Sequence, residues 1–227
     1  MSNERVGSCP LCRAATTDCF YTDQRRSYYR CATCGLIHVP REYHLTPEDE
    51  RRRYDTHQNL PSDSGYRNFL DRLLTPLLPQ LGPGQQGLDF GCGPGPTLSL
   101  MLQECGYTMA VYDPYYANDP AVLERSYDFI TCTEAIEHFA RPDLEWRRLL
   151  GLLSAGGRLA IMTAFHDEKI DFGDWYYKND PTHISFYSIK TFEWLARRDG
   201  LKVEFFGDSV VIFTRQEGSY SSSSVST

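Results

Sequence analysis

The chain has 227 residues, 41% of them hydrophobic and 23% charged, with a net charge of −7. That length suits one full-size domain with a small appendage, and the balance is that of a globular protein. The acidity disfavours a protein whose main task is gripping phosphate backbones, and no stretch approaches the ~20 apolar residues that cross a bilayer.

The opening residues MSNERVGSCP lack an apolar core, so no signal peptide and no membrane partner are expected, and a cytoplasmic location is. Eight cysteines in a reducing compartment point to metal binding or buried thiols. The charge is uneven: residues 1–53 carry nine Arg against seven Asp and Glu, a local +2, which leaves −9 for the rest.

Residues 1–45 are rich in Cys, Arg and Tyr and show no helical periodicity. Cys9 and Cys12, then Cys31 and Cys34, make two CxxC knuckles with 18 residues between them. Each knuckle presents two sulfurs on one side, and an intervening hairpin brings the pairs together. The spacing therefore predicts a structural Zn²⁺ in a four-thiolate tetrahedron. Gly35 supplies a flexible turn residue after the second knuckle. A redox pair is disfavoured, because neither knuckle lies at a strand-to-helix junction. Unrelated buried cysteines are the alternative. Cys19 has no partner in this pattern, and Cys105 and Cys132 fall on apolar faces, where packing is expected.

Thr46 as N-cap, Pro47 at the first helical position and acids in the first turn open a helix over 46–54. Tyr66, Phe69, Leu70, Leu73, Leu74, Leu77 and Leu78 recur at helical spacing and predict a second helix, with Pro76 expected to kink or end it. GLDF (87–90) reads as a strand, followed by a glycine-rich turn and a helix from Thr97 to Cys105 that stops at Gly106. TMAVYD (108–113) and YDFITC (127–132) are further strands, the second apolar on both faces as in a parallel sheet. A helix over Arg141 to Leu153 leads to a turn at Gly156 and Gly157 and the strand RLAIMT (158–163).

A connection of about 25 residues follows, long enough at a sheet edge to serve as a lid. Its Trp175, Tyr176 and Tyr177 either close over a substrate or pack on the sheet. Ser188 caps a helix to about Asp199, ended by Gly200. KVEFF (202–206) and VVIFT (210–214) close the fold as a hairpin. The alternation predicts an α/β fold: a Rossmann-like, doubly wound, mostly parallel sheet with an antiparallel C-terminal hairpin, plus the small N-terminal zinc ribbon. The expected division is a zinc module over 1–45, the α/β domain over 46–217 and a disordered Ser-rich tail over 218–227.

LDFGCGPGP (88–96) sets Gly91, Gly93 and Gly95 between a strand and a helix, where the backbone turns tightly and a ligand approaches the strand's carboxyl end. Pro96 stands where a dinucleotide fold needs its third glycine, which disfavours NAD. Asp113 ends the second strand about twenty residues on, where a carboxylate accepts hydrogen bonds from both ribose hydroxyls of an adenosine. Pro114 and Tyr115 are placed to pack on the base. A solvated turn residue is the alternative for Asp113.

From about residue 60 to 214 the chain resembles class I S-adenosylmethionine-dependent methyltransferases, in the broad families typified by ubiquinone-biosynthesis O-methyltransferases. LDFGCGPGP resembles their first motif and YDP (112–114) their second. YDFITCTEAIEHF (127–139) resembles their strand-four motif, and GGRLAIMT (156–163) the segment before their fifth strand. The resemblance implies that Asp89 and the glycine loop, Cys92 included, hold the methionine part of S-adenosylmethionine. It implies that Asp113 holds the ribose, and that Thr133 and Glu134 line the cofactor's other side. The link after the second strand is short, so the helix usual there is expected to be vestigial.

Methyl transfer is a displacement at an already activated carbon, so proximity and orientation do most of the work. A base is needed only when the nucleophile carries a proton. His183, in DPTHISFYS, and His138, in EAIEHF, are the candidates, with Asp180 placed to orient the ring of His183. A histidine tied to the backbone is the alternative. The leading expectation is O- or N-methylation of a small or medium organic acceptor. The alternatives are an RNA methyltransferase that grips nucleic acid through the Arg-containing zinc ribbon, and a non-catalytic module that binds S-adenosylmethionine or a partner protein.

Overall fold

The computed structural model describes residues 5–15, 17–56 and 60–217; the tail expected over 218–227 lies outside them. The N-terminal module is an antiparallel run of β1 (Arg5–Val6), β2 (Thr17–Thr22), β3 (Ser27–Arg30) and β4 (Ile37–His38). The β2–β3 turn forms because Asp23 accepts the backbone N–H groups of Arg25 and Arg26 at 2.8 and 3.0 Å.

Next comes α1 (Pro47–Tyr54), where the Thr46 hydroxyl accepts the Asp49 N–H at 3.2 Å. Asp63 caps α2 (Ser64–Leu77) in the same way, and the helix buries Leu70, Leu73, Leu74 and Leu77 as one stripe. Pro76 sits in its last turn, where the helix stops.

The second sheet begins with β5 (Gln86–Phe90), followed by α3 (Thr97–Glu104), which gives way to a left-handed Gly106, and β6 (Thr108–Tyr112). Between β6 and β7 (Tyr127–Thr133) there is only a short 3-10 turn at Pro120–Glu124, so the expected vestige is all that remains of a helix. After α4 (Pro142–Leu152) the chain enters β8 (Leu153–Met162) with no turn between them.

Gly156 and Gly157 thus lie inside the strand rather than forming a turn before it. A side chain at Gly157 would stand 2.8 Å from the Ser154 carbonyl and 2.9 Å from that of Asp128, and the β7 register shifts beside it. These glycines absorb an irregularity in the ladder. The long connection carries β9 (Ser185–Phe186). Then α5 (Ile189–Asp199) is boxed by Ser188 and Thr191 and ended by left-handed Gly200, as its sequence signals predict. β10 (Leu201–Phe206) and β11 (Val210–Arg215) close the chain.

The six-stranded order is β6-β5-β7-β8-β11-β10; the first four strands run parallel, and β11 is antiparallel to both its neighbours. β9 does not join this sheet. It pairs with β4, Ile37 opposite Phe186 and His38 opposite Ser185, and becomes the fifth strand of the N-terminal sheet.

The cores merge accordingly. Cys9, Leu11, Cys31, Cys34 and Leu36 are buried in one cluster with Leu88, Trp146, Tyr187 and Phe192. Tyr28, Ile37, Phe172, Trp175 and Phe186 fill a second one. Each such aromatic contributes ~1.5–3 kcal/mol of burial. Cys132 is fully buried as expected, whereas Cys105 is exposed. Among the described residues no helix is long and apolar enough to cross a membrane.

Candidate active site

At the carboxyl edge of β5 the chain reverses through Gly91 and Gly93, whose φ values of 80° and 63° lie in the left-handed region that favours glycine. A Cβ on Gly91 would stand 2.5 Å from the Cβ of Ala135, so the loop also demands a bare backbone for close approach. Asp113 holds the turn from the end of β6. Its Oδ2 accepts the Gly93 N–H at 3.0 Å, and its Oδ1 accepts those of Tyr115 and Tyr116 at 2.8 and 3.1 Å. This carboxylate is buried and is not a solvated turn residue.

The loop opens onto a cleft of about 540 Å³, within the range of small-molecule sites. Asp89, Gly91, Cys92, Gly93, Gly95, Asp113, Pro114, Thr133 and Glu134 all line it, together with His138 and His183. Asp89 is buried and accepts the Thr131 hydroxyl at 2.9 Å. Burial, with Asp113 nearby, raises its carboxyl to about 6. Burial likewise pushes the Cys92 thiol up to about 12, so it lines the cleft as a neutral thiol. The Thr133 hydroxyl oxygen is buried with no partner in the protein, as expected of a group that meets a polar ligand.

Behind this lining lies a polar cluster. Glu134 holds φ +47°, a left-handed conformation uncommon outside glycine, and its carboxyl is driven well up by burial and by Glu137. Glu137 is 0% exposed. Its two oxygens accept the Tyr177 hydroxyl at 2.5 Å and the Thr163 hydroxyl at 2.9 Å. Tyr177 also reaches Glu134 at 3.3 Å.

His138 donates from Nδ1 to the Thr182 carbonyl at 3.0 Å, and His183 from Nδ1 to the Tyr177 carbonyl at 2.7 Å. A carbonyl only accepts, so each Nδ1 carries a proton, and in a neutral ring the lone pair then lies on Nε2. The rings meet edge to face at 4.8 Å. Burial lowers His183 to about 4. Asp180 does not orient its ring; that carboxylate accepts from Thr182 and pairs with Arg53 at 2.8 Å.

A roof comes from α1. Tyr54 lies edge-on to His138 at 5.2 Å, and Glu50 accepts the hydroxyls of Tyr54 and Tyr115 at 2.6 and 2.8 Å. Of the aromatic run, Trp175 and Tyr177 are packed inside, while Tyr176 is 73% exposed. A second cleft of about 1010 Å³ adjoins the first, sharing Phe69 and Glu134 with it and walled by Arg30, Trp175, Tyr176 and Lys190. Glu50, Tyr54, Glu137 and Tyr177 carry no motif of their own in the sequence. Only the EAIEHF segment, which contains Glu137, marks the region.

The four cysteines converge. Cys9 Sγ is 3.6 Å from Cys34 Sγ, Cys12 Sγ is 3.4 Å from Cys31 Sγ, and all four sulfurs lie within 4.8 Å of one another. No disulfide is formed. Four sulfurs around a Zn²⁺ at ~2.3 Å stand about 3.8 Å apart, so the cluster fits that ion with small adjustments.

The methyltransferase-domain family matches residues 62–204. No curated protein matches the sequence significantly. Among solved structures, an O-methyltransferase family protein from Burkholderia thailandensis is 18% identical, with 74% of this chain over 63% of that one and a TM-score of 0.48. Magnesium protoporphyrin IX methyltransferase from Synechocystis, solved with bound S-adenosylmethionine, is 18% identical, 78% over 95%, at 0.49. Phosphoethanolamine N-methyltransferase 2 of Haemonchus contortus, in complex with S-adenosylhomocysteine, is 15% identical, 74% over 57%, at 0.50. At 15% identity and a TM-score of 0.50, the likeness to the last of these is one of fold alone.

Proposed function

The chain belongs to the methyltransferase-domain family, and we propose accordingly that it carries a methyl group from S-adenosylmethionine to a small or medium organic acceptor. The observation that carries this reading is the adjacency of two clefts that share Glu134 and Phe69 as lining. The glycine loop and Asp113 line the one that suits the cofactor, and the larger one gives an acceptor access to the methyl group. Asp89 and the loop would take the methionine part, with Asp113, moving from loop N–H groups to ribose hydroxyls, and Pro114 on the nucleoside side. The unpartnered Thr133 hydroxyl and Glu134 would face the sulfonium.

S-adenosylmethionine supplies a carbon already activated by positive sulfur. The protein's part is to align the acceptor behind that carbon and exclude water, worth ~7–11 kcal/mol when done well. Acceptors that carry a proton on O or N need a base. His138 and His183 line the cofactor cleft and are the candidates, and burial has reduced the basicity of His183. The cysteine cluster is read as a structural Zn²⁺ site, since four thiolates leave no open position; metal analysis of chelator-free protein should give about one equivalent per chain.

The test has two steps. Calorimetry should show stoichiometric S-adenosylmethionine binding; its absence would overturn the reading. Tritiated methyl donor incubated with fractionated lysate should then label a small-molecule fraction. Label in RNA would favour the nucleic-acid alternative, and cofactor binding without label would favour the non-catalytic one.

A further inference from the structure

We propose that Arg26, on the β2–β3 hairpin of the N-terminal module, is a positioning residue of the candidate active site: its guanidinium clamps the backbone of residues 178–181 and thereby fixes how Tyr177, His138 and His183 face the cleft. Three observations converge on it.

The first is the fork. Arg26 is 7% exposed. Its terminal nitrogens donate to the carbonyls of Lys178 at 2.6 Å, Asp180 at 3.0 Å and Pro181 at 3.1 Å, and its Nε donates to the Tyr28 hydroxyl at 2.9 Å. Four of the guanidinium's five N–H groups are used in this way. Three carbonyls drawn from four consecutive residues converge on one planar group. A buried cation is costly unless its donors are met, so Arg26 and this stretch of backbone hold each other in place.

The second is what the clamped stretch carries at its two ends. On one side the Tyr177 carbonyl accepts His183 Nδ1 at 2.7 Å, and the Tyr177 hydroxyl meets Glu137. On the other the Thr182 carbonyl accepts His138 Nδ1 at 3.0 Å. The two acceptors that orient the rings therefore stand one residue beyond each end of the backbone that Arg26 grips. Arg26 acts on both histidines through this backbone, and both histidines line the cofactor cleft.

The third is the direction in which the module spends its charge. Lys178, itself 6% exposed, reaches back to Asp23 at 3.3 Å, and Asp23 is the residue whose carboxylate forms the hairpin turn. Arg25 donates to the Asn179 carbonyl at 3.4 Å. Arg13 donates from Nε to the Asp143 carboxylate at 2.9 Å. These arginines are committed to the α/β body rather than to a nucleic-acid backbone. The module that holds the cysteines is thus built into the wall of the site. The clamp rests on the methyl-transfer reading for its purpose, and on these contacts alone for its existence.

Nitrogen-15 spectra of the histidine rings in the full-length protein test it, at about pH 8 where the rings are neutral and with no methyl donor or acceptor added. His138→Gln and His183→Gln assign the two rings. In the parent both should show one tautomer, with the proton on Nδ1. Arg26→Ala should release the carbonyls of Tyr177 and Thr182 and populate the Nε2–H form of both rings to a level comparable with the Nδ1–H form. Arg26→Lys keeps the charge but replaces the planar fork by a point donor, so it should change the rings in the same direction and to a smaller extent. If Arg26→Ala fails to fold by circular dichroism, Arg26→Lys carries the reading. A parent that binds no S-adenosylmethionine would sink the methyl-transfer reading and leave this test standing. The clamp is overturned by a parent in which either ring lacks the Nδ1–H tautomer. It is overturned equally by folded Arg26 variants that melt lower yet keep both rings as in the parent, since Arg26 would then serve stability alone.

Discussion

The two sheets of this molecule reach order by different routes. The six-stranded sheet has strands of five to ten residues, buried on apolar residues from both faces. The five-stranded sheet has strands of two to six residues, gathers four sulfurs at its knuckles and takes its last strand from residues 185–186. A short antiparallel ribbon buries too little to stand by itself. The six-stranded sheet is built on its own apolar residues; the five-stranded one gathers four sulfurs at one end and takes a strand from residues 185–186 at the other.

The sharpest way to break this contrast is at the four sulfurs. Cys31→Ser, or prolonged chelation, should collapse the N-terminal sheet, since structural zinc supplies on the order of 10 kcal/mol in small modules. Hydrogen exchange should then rise over 17–38 and also over 176–186, because β4 and β9 share a ladder. Unchanged protection in both segments would show that the sulfurs are incidental.

The next largest effect probes the other sheet. Asp113→Ala should weaken S-adenosylmethionine binding by roughly 2–4 kcal/mol, about 30- to 1,000-fold in Kd. It should leave the melting of the six-stranded core nearly unchanged. Equal affinities in calorimetry would reduce Asp113 to a loop tie.

A third effect is in pH. Asp89 titrates at about 6 when folded, above the 3.8 of an exposed aspartate. The folded state therefore holds this proton more tightly than the unfolded one, so this group's contribution to stability falls as pH rises from about 4 through 6 and is flat above that. Binding runs the opposite way if the carboxylate meets the cofactor's ammonium. Affinity should drop below pH 6 by up to about tenfold per unit. A profile flat down to pH 4 would remove Asp89 from cofactor contact.

The smallest effect concerns the roof. Burial pushes Asp180 up, but Arg53 and Thr182 outweigh it and hold the carboxyl below the ordinary range. Arg53 is 42% exposed, so solvent screens the pair. Arg53→Ala should cost no more than about 1 kcal/mol by denaturant melt. A larger loss would mean that α1 supports the sheets and does not merely cover the cleft.

Where the chemistry is local, the sequence was readable. The Ser188 cap and the Gly200 stop depend on neighbours a few residues away, and the turns of the glycine loop on its own left-handed glycines, and their patterns place these elements correctly. Each CxxC sets only its own two sulfurs; Cys9 meets Cys34 and Cys12 meets Cys31 across 25 and 19 positions through the β2–β3 hairpin, which the alternating Cys spacing implied. Gly157 reads as part of a turn in the sequence because part of its crowding comes from the Asp128 carbonyl, on another strand. Asp180 looked like a partner for His183 because three residues separate them, yet Arg53 on α1 shares it. Glu137 and Tyr177 owe their significance to each other across 40 positions, a distance over which no periodicity carries information.

The pairing of β4 with β9 also sets an order of assembly. Ile37 waits for Phe186, about 150 residues further on, so this contact is among the slowest to form. During synthesis the knuckles leave the ribosome first, while the edge of β4 stays open until after the last parallel strand has been made. An unpaired edge is a template for the wrong neighbour, so the nascent chain is exposed to mispairing for most of its translation. The segment that relieves this exposure is the one that carries Tyr177 and His183. A chain stalled before residue 177 therefore lacks its N-terminal seal and half of its polar cluster together, and quality control needs to detect only one open strand to find both defects.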